Sequence, residues 1–263
     1  MVESADRVLR VLESFAPNEK DVSLGELAER VRLPKSSVHR LLAALMAHGF
    51  VEREASTRRY RLGIRLFELG SAAIHERGLH NAAHPVLEEL SISTGETCHL
   101  AVLSGLEAVY VYKVDGPSSV VMSSRVGGRA PCHATSIGKV LAAWAGEDLV
   151  RQLLAQPLRR YTAHTITTGE GLDEELARVR SHGYAMDVEE FHDGLCCIAA
   201  PVREHSGRVV AALGIAGPHR RFEERQLEGL ATTVVRAAAA LSRNLGYLEP
   251  QVHVPSSPAA AAV

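Results

Sequence analysis

Nowhere in the 263 residues does an apolar run approach the eighteen or so that a membrane span requires. The N-terminus, Met1-Val2-Glu3-Ser4-Ala5-Asp6-Arg7, is acidic and lacks the basic start and apolar stretch of a secretory signal, so a soluble, cytoplasmic protein is expected. Cysteines number only four. Cys98 and Cys132 stand alone, and the adjacent Cys196 and Cys197 cannot easily bridge each other, so no disulfide framework is expected. No CxxC or HExxH spacing is present, no GxSxG elbow, and no glycine five residues before Gly138 to build a phosphate loop. These absences weigh against a zinc centre, a serine hydrolase and a nucleotide-phosphate site. No cofactor and no metal are expected.

What is present is a globular composition, 46% hydrophobic and 23% charged, in a chain long enough for two domains with separate cores. The net charge of -2 conceals an uneven distribution. Between Arg30 and Arg61 stand eight Lys/Arg (Arg30, Arg32, Lys35, Arg40, Arg53, Arg58, Arg59, Arg61) against Glu52 and Glu54, a local +6, which leaves -8 on the rest. A basic island on an acidic chain points to a local polyanion contact. A merely solvated charged face is the alternative, and the motif around it decides.

Three helical patterns come in quick succession at the start. Val8, Val11, Leu12 and Phe15 form an i, i+3, i+4, i+7 stripe, ended by Pro17-Asn18. Ser23-Leu24-Gly25-Glu26 reads as a capping box opening a second helix that buries Leu24, Leu27, Ala28 and Val31. After a short connection at Arg32-Leu33, Pro34 opens a third helix, about Lys35 to His48, with Gly49 as its stop. Its inner stripe is Val38, Leu41, Leu42 and Leu45. The opposite face carries Ser36, Arg40, Ala43 and Ala47, flanked by Ser37 and His39. Small residues let such a helix lie close to a groove floor, while Ser, His and Arg hydrogen-bond base edges and phosphates. Phe50–Arg53 and Tyr60–Leu62 then read as a hairpin with Arg58 and Arg59 near its tip. A helix-turn-helix with a basic wing is a DNA-binding head. The expected base contacts are Ser36, Ser37, His39 and Arg40, and the expected backbone contacts are Lys35, Arg58 and Arg59.

Three segments in order resemble the IclR family of bacterial regulators. They are Val38-His39-Arg40-Leu41-Leu42 with Gly49-Phe50-Val51 and Tyr60-Arg61-Leu62-Gly63, then Cys132-His133-Ala134-Thr135-Ser136-Ile137-Gly138-Lys139, then Gly194-Leu195-Cys196-Cys197-Ile198-Ala199-Ala200-Pro201-Val202. The resemblance covers about residues 3 to 247. It implies a linker helix that joins two heads as a homodimer, often paired into tetramers, and a GAF-like effector-binding domain. It also implies a ligand pocket at the helix start Ser136-Ile137, at Asp187 and Cys197, and at two strand positions that fall on Gly214 and Ala216. Members that bind small keto acids carry serines at both of those positions. Glycine and alanine supply no side-chain donor and are read here as leaving more room, so a larger organic acid, aromatic or branched, is expected.

The remaining pattern agrees with an α+β fold: an N-terminal winged helix-turn-helix (1–63), a linker helix (64–80), and an antiparallel sheet domain with flanking helices (81–248). The Pro/Ser/Ala tail, 249–263, is expected to be disordered. Strand signals run Thr97–Leu103, Ala108–Val114, Val120–Arg125, Tyr184–Val188, Cys197–Arg203 and Val209–Ile215. Helices are expected at Ile64–Leu79, around Pro85 to Gly95, at Ile137–Ala145, Asp148–Ala155 and Asp173–His182, and at Phe222–Leu245. Pro85 biases His84 away from helical geometry, so His80 and His84 need not share a face. The rival to a regulator is a metal- or thiol-dependent enzyme, or a zinc-responsive sensor, assembled from Cys98-His99, Cys132-His133, His192, Cys196 and Cys197. Adjacent residues on a strand point to opposite faces, which weakens it. The reading is therefore of a transcriptional regulator, not an enzyme. Its expected partners are a pseudo-palindromic double-stranded DNA, a small organic acid and itself.

Overall fold

The computed structural model describes residues 3–15, 19, 21–75, 79–116, 124–225 and 227–248, with the side chains of 71–75 excepted. The expectation for the tail lies outside the described residues. The chain falls into two units, Met1–Arg77 and Gly78–Val263.

In the first unit, α1 (Glu3–Glu13), α2 (Leu24–Val31) and α3 (Lys35–Ala47) surround a core that includes Val11, Phe15, Leu27, Val31, Val38, Leu42 and Leu45. The capping box forms at α2: the Glu26 amide donates to Ser23 Oγ at 3.3 Å and the Ser23 amide donates to Glu26 Oε2 at 2.7 Å. Arg32 takes a left-handed conformation at the end of α2, φ 56°, which makes the turn into α3 tight. Pro34 sits one residue before α3 rather than inside it. Past α3, Gly49 adopts φ +74°, a geometry that favours glycine. The hairpin of β1 (Val51–Arg53) and β2 (Tyr60–Leu62) pairs Val51 with Leu62 and Arg53 with Tyr60. A reciprocal pair of 2.7 Å bonds between Val22 and Tyr60 pins it to the strand-like stretch ahead of α2. The linker helix α4 is Ile64–His75, the expected residues 76–78 lie outside the described ones, and Leu79 belongs to the next helix.

The second unit is a six-stranded antiparallel sheet in the order β5-β4-β3-β8-β7-β6. Its strands are β3 (Thr97–Ser104), β4 (Glu107–Val114), β5 (Arg129–Pro131), β6 (Ala185–Val188), β7 (Leu195–Arg203) and β8 (Val209–Pro218). Alternation divides each strand between two cores. Cys98, Leu100, Cys196, Ile198, Leu213 and Ile215 pack with α5 (Leu79–Thr94) and α10 (Leu227–Asn244). Ala101, Ala199 and Ala212 pack on the other face with α6 (Ser136–Ala143) and α8 (Gly169–His182), and α7 (Glu147–Ala155) adds Leu153 to that core. The α+β architecture is as the sequence reads.

Two local expectations are corrected, and a third lies mostly outside the described residues. The strand at Val120–Arg125 falls mostly outside the described residues; Ser124 and Arg125 carry no strand, and β4 is flanked instead by the three-residue β5. The last helix is broken. A short α9 (His219–Glu224) is tied to the α5–β3 corner by the Arg221–Glu96 ion pair and by Arg225, which donates to the Thr94 carbonyl, before α10 begins. Pro85 lies inside α5 without ending it, because Leu79, Ala83, Val86, Leu87 and Leu90 bury the helix along its length. His80 and His84 consequently share a face, both edge-on to Tyr112, with His84 Nδ1 2.6 Å from the tyrosine hydroxyl.

Candidate functional sites

On α3 the two faces separate as the period demands. Val38, Leu42 and Leu45 are buried, while Lys35, Ser36, His39, Arg40, Ala43 and Ala47 are exposed and Ser37 is half-buried. The wing arginines divide. Arg58, at φ 56°, is exposed. Arg59 turns back instead: its guanidinium bonds Asp21 and reaches Glu26 Oε2 at 3.0 Å, clamping the wing to the start of α2. Arg30 pairs with Glu19 and Arg61 with Glu52. Arg53 donates to the Arg58 carbonyl and lies over the Tyr60 ring. Among the described residues Arg32, Lys35, Arg40 and Arg58 make no ion pair, so the basic surface is narrower than the sequence count implies. Glu19, Asp21 and Glu26, just upstream of the counted segment, supply the offsetting charge.

In the second unit the helix start stands over the sheet. Thr135 caps α6, its hydroxyl accepting from the Gly138 amide at 3.1 Å and donating to the Pro131 carbonyl at 2.8 Å. Among the described residues the Ser136 and Ile137 amides donate no hydrogen bond, so two N–H groups at the positive end of the helix remain open to an anion. A Cβ on Gly138 would stand 2.5 Å from Cys132 Cα and 2.6 Å from the Pro131 oxygen, so only glycine allows α6 to lie this close.

Beneath it, strand register lines up four residues across the sheet: Thr97 opposite Ala216, Ala216 opposite Cys197, and Cys197 opposite Asp187. The next row is His99, Gly214, Ala199 and Ala185. Asp187, Cys197, Gly214 and Ala216, expected together, do share one face. Asp187 is buried, and its Oδ1 accepts from the Glu190 amide at 2.7 Å. Burial lifts its carboxyl to about 7, with the Glu190 amide pulling the other way. Burial and the neighbouring Asp187, to which it hydrogen-bonds, push the Cys197 thiol well up. Burial also raises Cys98, Cys132 and Cys196 to about 12. None of the four is a ready thiolate, which is poor ground for nucleophilic chemistry. Among the described residues no three His, Cys, Asp or Glu side chains come together to hold a metal ion. Lys139, 1% exposed, is taken up by Glu190 at 2.6 Å and Glu175 at 3.1 Å. It braces the loop whose amide caps Asp187.

Gly214 does not leave room. A Cβ there would meet the Ile198 oxygen at 2.7 Å, Ala199 Cβ at 3.0 Å and Ile137 Cγ1 at 3.2 Å, so the space is already filled by α6 and the neighbouring strand. Sequence reasoning also missed three side chains on this face. His99 is held at about 4 by burial and by Lys113, with Nε2 2.7 Å from Ser124 Oγ. Tyr110 lies with its ring 5.0 Å from His99, and burial raises its hydroxyl, with the charges of Cys197 and Asp187 adding to the effect. Thr97 is fully buried, and among the described residues its Oγ1 has no partner. The period-two alternation of Thr97, His99 and Ala101 was the available signal.

A winged head with an exposed recognition face, joined in one chain to a sheet domain with open helix-start amides, defines a DNA-binding regulator with a separate sensory unit. The chain belongs to the IclR family: residues 4–55 match the IclR helix-turn-helix domain and residues 71–243 match the bacterial transcriptional regulator IclR C-terminal domain. It is 37% identical over 248 residues to the HTH-type transcriptional regulator XynR of Escherichia coli K12, spanning 94% of this chain and 98% of that one. To KdgR of the same organism it is 38% identical over 247 residues, 94% of each. Among solved structures it is similar to an IclR homolog from Microbacterium hydrocarbonoxydans complexed with 4-hydroxybenzoate, at 31% identity and a TM-score of 0.84, covering 92% of this chain and 99% of that one. The protein is thus a DNA-binding transcriptional regulator. Among the described residues no helix is long and apolar enough to cross a membrane.

Proposed function

We propose that the protein controls a catabolic operon by binding a small organic acid on the α6 face of the sheet, and that it acts as a homodimer on a pseudo-palindromic operator. The observation that carries the ligand reading is a pair of amides, Ser136 and Ile137, unbonded among the described residues, at the start of a helix whose Ile137 side chain lies over Gly214, next to the row of Ala216, Cys197 and Asp187 on the same sheet face. A carboxylate is the natural guest of such amides. An aromatic acid is the preferred class. Its support is no longer room at Gly214 but the apolar surround of Ile137, Ala199 and Ala216, the Tyr110 ring nearby, and a relative of similar fold complexed with 4-hydroxybenzoate.

On the head, Ser36, Ser37, His39 and Arg40 read base edges while Lys35 and Arg58 hold phosphate. Arg59 serves the DNA indirectly by fixing the wing. The test joins the two halves. Purified protein is titrated with aromatic, branched and keto acids by thermal shift, and its affinity for the promoter of the neighbouring gene is measured with each. An aromatic acid should raise the melting temperature and change operator affinity about 5–150-fold. Pyruvate or glyoxylate binding far more tightly than any aromatic acid would refute the ligand class. Absence of any promoter shift at low ionic strength would refute the DNA reading.

A further inference from the structure

Of the polar side chains on the α6 face of the sheet, most are already committed. His99 is bonded to Ser124, Asp187 accepts from the Glu190 amide, and Cys197 bonds to Asp187. Thr97 differs. It is fully buried on a central strand, and among the described residues its Oγ1 has no partner. A buried hydroxyl without a partner is unfavourable, because folding strips its water and returns nothing. Valine would have the same shape, suit a strand at least as well, and carry no such liability. Thr97 therefore detracts from stability here unless something else uses its hydroxyl.

Its position says what that is. Thr97 stands directly opposite Ala216, whose methyl is the only side chain between it and Cys197 in the row. Paired residues on antiparallel strands hold their Cβ atoms about 4.5–5.5 Å apart, so an oxygen resting over Ala216 lies within reach of the Thr97 hydroxyl. Ala216 itself offers no donor. The open amides of Ser136 and Ile137 come from above, where Ile137 packs over Gly214, the residue two before Ala216 on the same strand face.

We propose that Thr97 is a ligand-contacting residue of this regulator, its hydroxyl donating to a carboxylate oxygen seated over Ala216 while the Ser136 and Ile137 amides hold the other oxygen. This rests on the ligand site proposed above and adds to it a specificity residue at the opposite end of the row from Asp187. The ligand class that fits is a carboxylic acid lying with its charged end toward β3 and its body toward Cys197 and Asp187. A neutral analogue such as the amide would present an N–H₂ to the same cradle and bind less well.

The full-length protein is titrated calorimetrically with 4-hydroxybenzoate and with glyoxylate, and its thermal unfolding is followed without ligand. Thr97→Val should weaken whichever carboxylate binds by roughly 10–100-fold, as expected for a lost charge-assisted hydrogen bond. The same variant should melt about 2–4 °C higher than the parent without ligand, since the unpaired hydroxyl is gone. Thr97→Ser should keep the affinity within a few-fold. A purely structural threonine would not give opposite signs for stability and binding. Undiminished carboxylate affinity in Thr97→Val, with binding abolished by the blocking substitution Ala216→Leu, would overturn the role of Thr97 and leave the site standing. Binding that survives Ala216→Leu, or the absence of binding by both acids to the parent protein, would remove the site and this proposal together.

Discussion

Asp187 lies 3% exposed on β6 with its carboxyl at about 7, where burial outweighs the amide of Glu190 and the ammonium of Lys139. In an unfolded chain the same carboxyl titrates near 4. Between those values the folded protein keeps a proton that the unfolded chain has released. The stability Asp187 contributes is therefore complete at acid pH and is lost as pH rises through about 7. His99, held at about 4 by burial and by Lys113, slopes the other way, gaining stability between pH 4 and 6.5. Wild type alone would show the two partly cancelling. Asp187→Asn separates them, because the amide cannot ionise yet keeps an oxygen to accept from Glu190. Relative to wild type, this variant should gain roughly 2–4 kcal/mol between pH 4.5 and pH 8 in urea unfolding. An equal difference between the two proteins at both pH values would show that Asp187 is ionised throughout. At this scale Asp187 and Cys197 were readable from the family resemblance. Thr97, His99 and Tyr110 were not, because what makes them neighbours of that site is strand register, set by tertiary pairing.

Among the elements, legibility tracks sequence distance. The α2 capping box needs only Ser23 and Glu26, three apart, and both its bonds form. The wing shows the reverse. Arg58 and Arg59 are adjacent and look alike in sequence, yet one projects and the other reaches Asp21, thirty-eight residues earlier in the chain. The broken last helix is intermediate: Glu223-Glu224-Arg225-Gln226 leaves a local gap in the apolar pattern between Phe222 and Leu227, while the partners of Arg221 and Arg225, Glu96 and Thr94, lie far away in sequence. The wing arginines consequently should respond differently to truncation. Arg58→Ala should lower the slope of log affinity against log salt by about 1 for operator and random DNA alike, and leave the melting temperature unchanged. Arg59→Ala should lower the melting temperature of the head first, and weaken DNA binding only as the wing loosens. Fluorescence anisotropy across a salt series, with thermal unfolding alongside, reads both. A salt slope altered by Arg59→Ala but not by Arg58→Ala would reverse the assignment.

For the whole molecule, two units in one chain define a regulator only if an event in one alters the other's affinity. A ligand can do that only by binding two arrangements of the protein unequally. The first unit supplies a surface on which arrangement can turn: Ile64 and Phe67, one turn apart on the same face of α4, are 63% and 69% exposed. Apolar area of that kind in one place is the mark of a contact surface. In the proposed homodimer it would be covered by the second copy, and pairing two heads on one operator makes the second binding event intramolecular, worth about 10²–10⁴ in affinity. Phe67→Asp should therefore lower the sedimenting mass of the full-length protein and weaken operator binding by about a hundredfold or more. Thermal unfolding of the C-terminal unit should be unchanged, since Phe67 lies outside its cores. Random-sequence DNA, which one head grips about as well as another, should lose much less. If the mass and the operator affinity both survive the substitution, the heads are joined elsewhere and α4 cannot be the element through which a bound acid reaches the DNA.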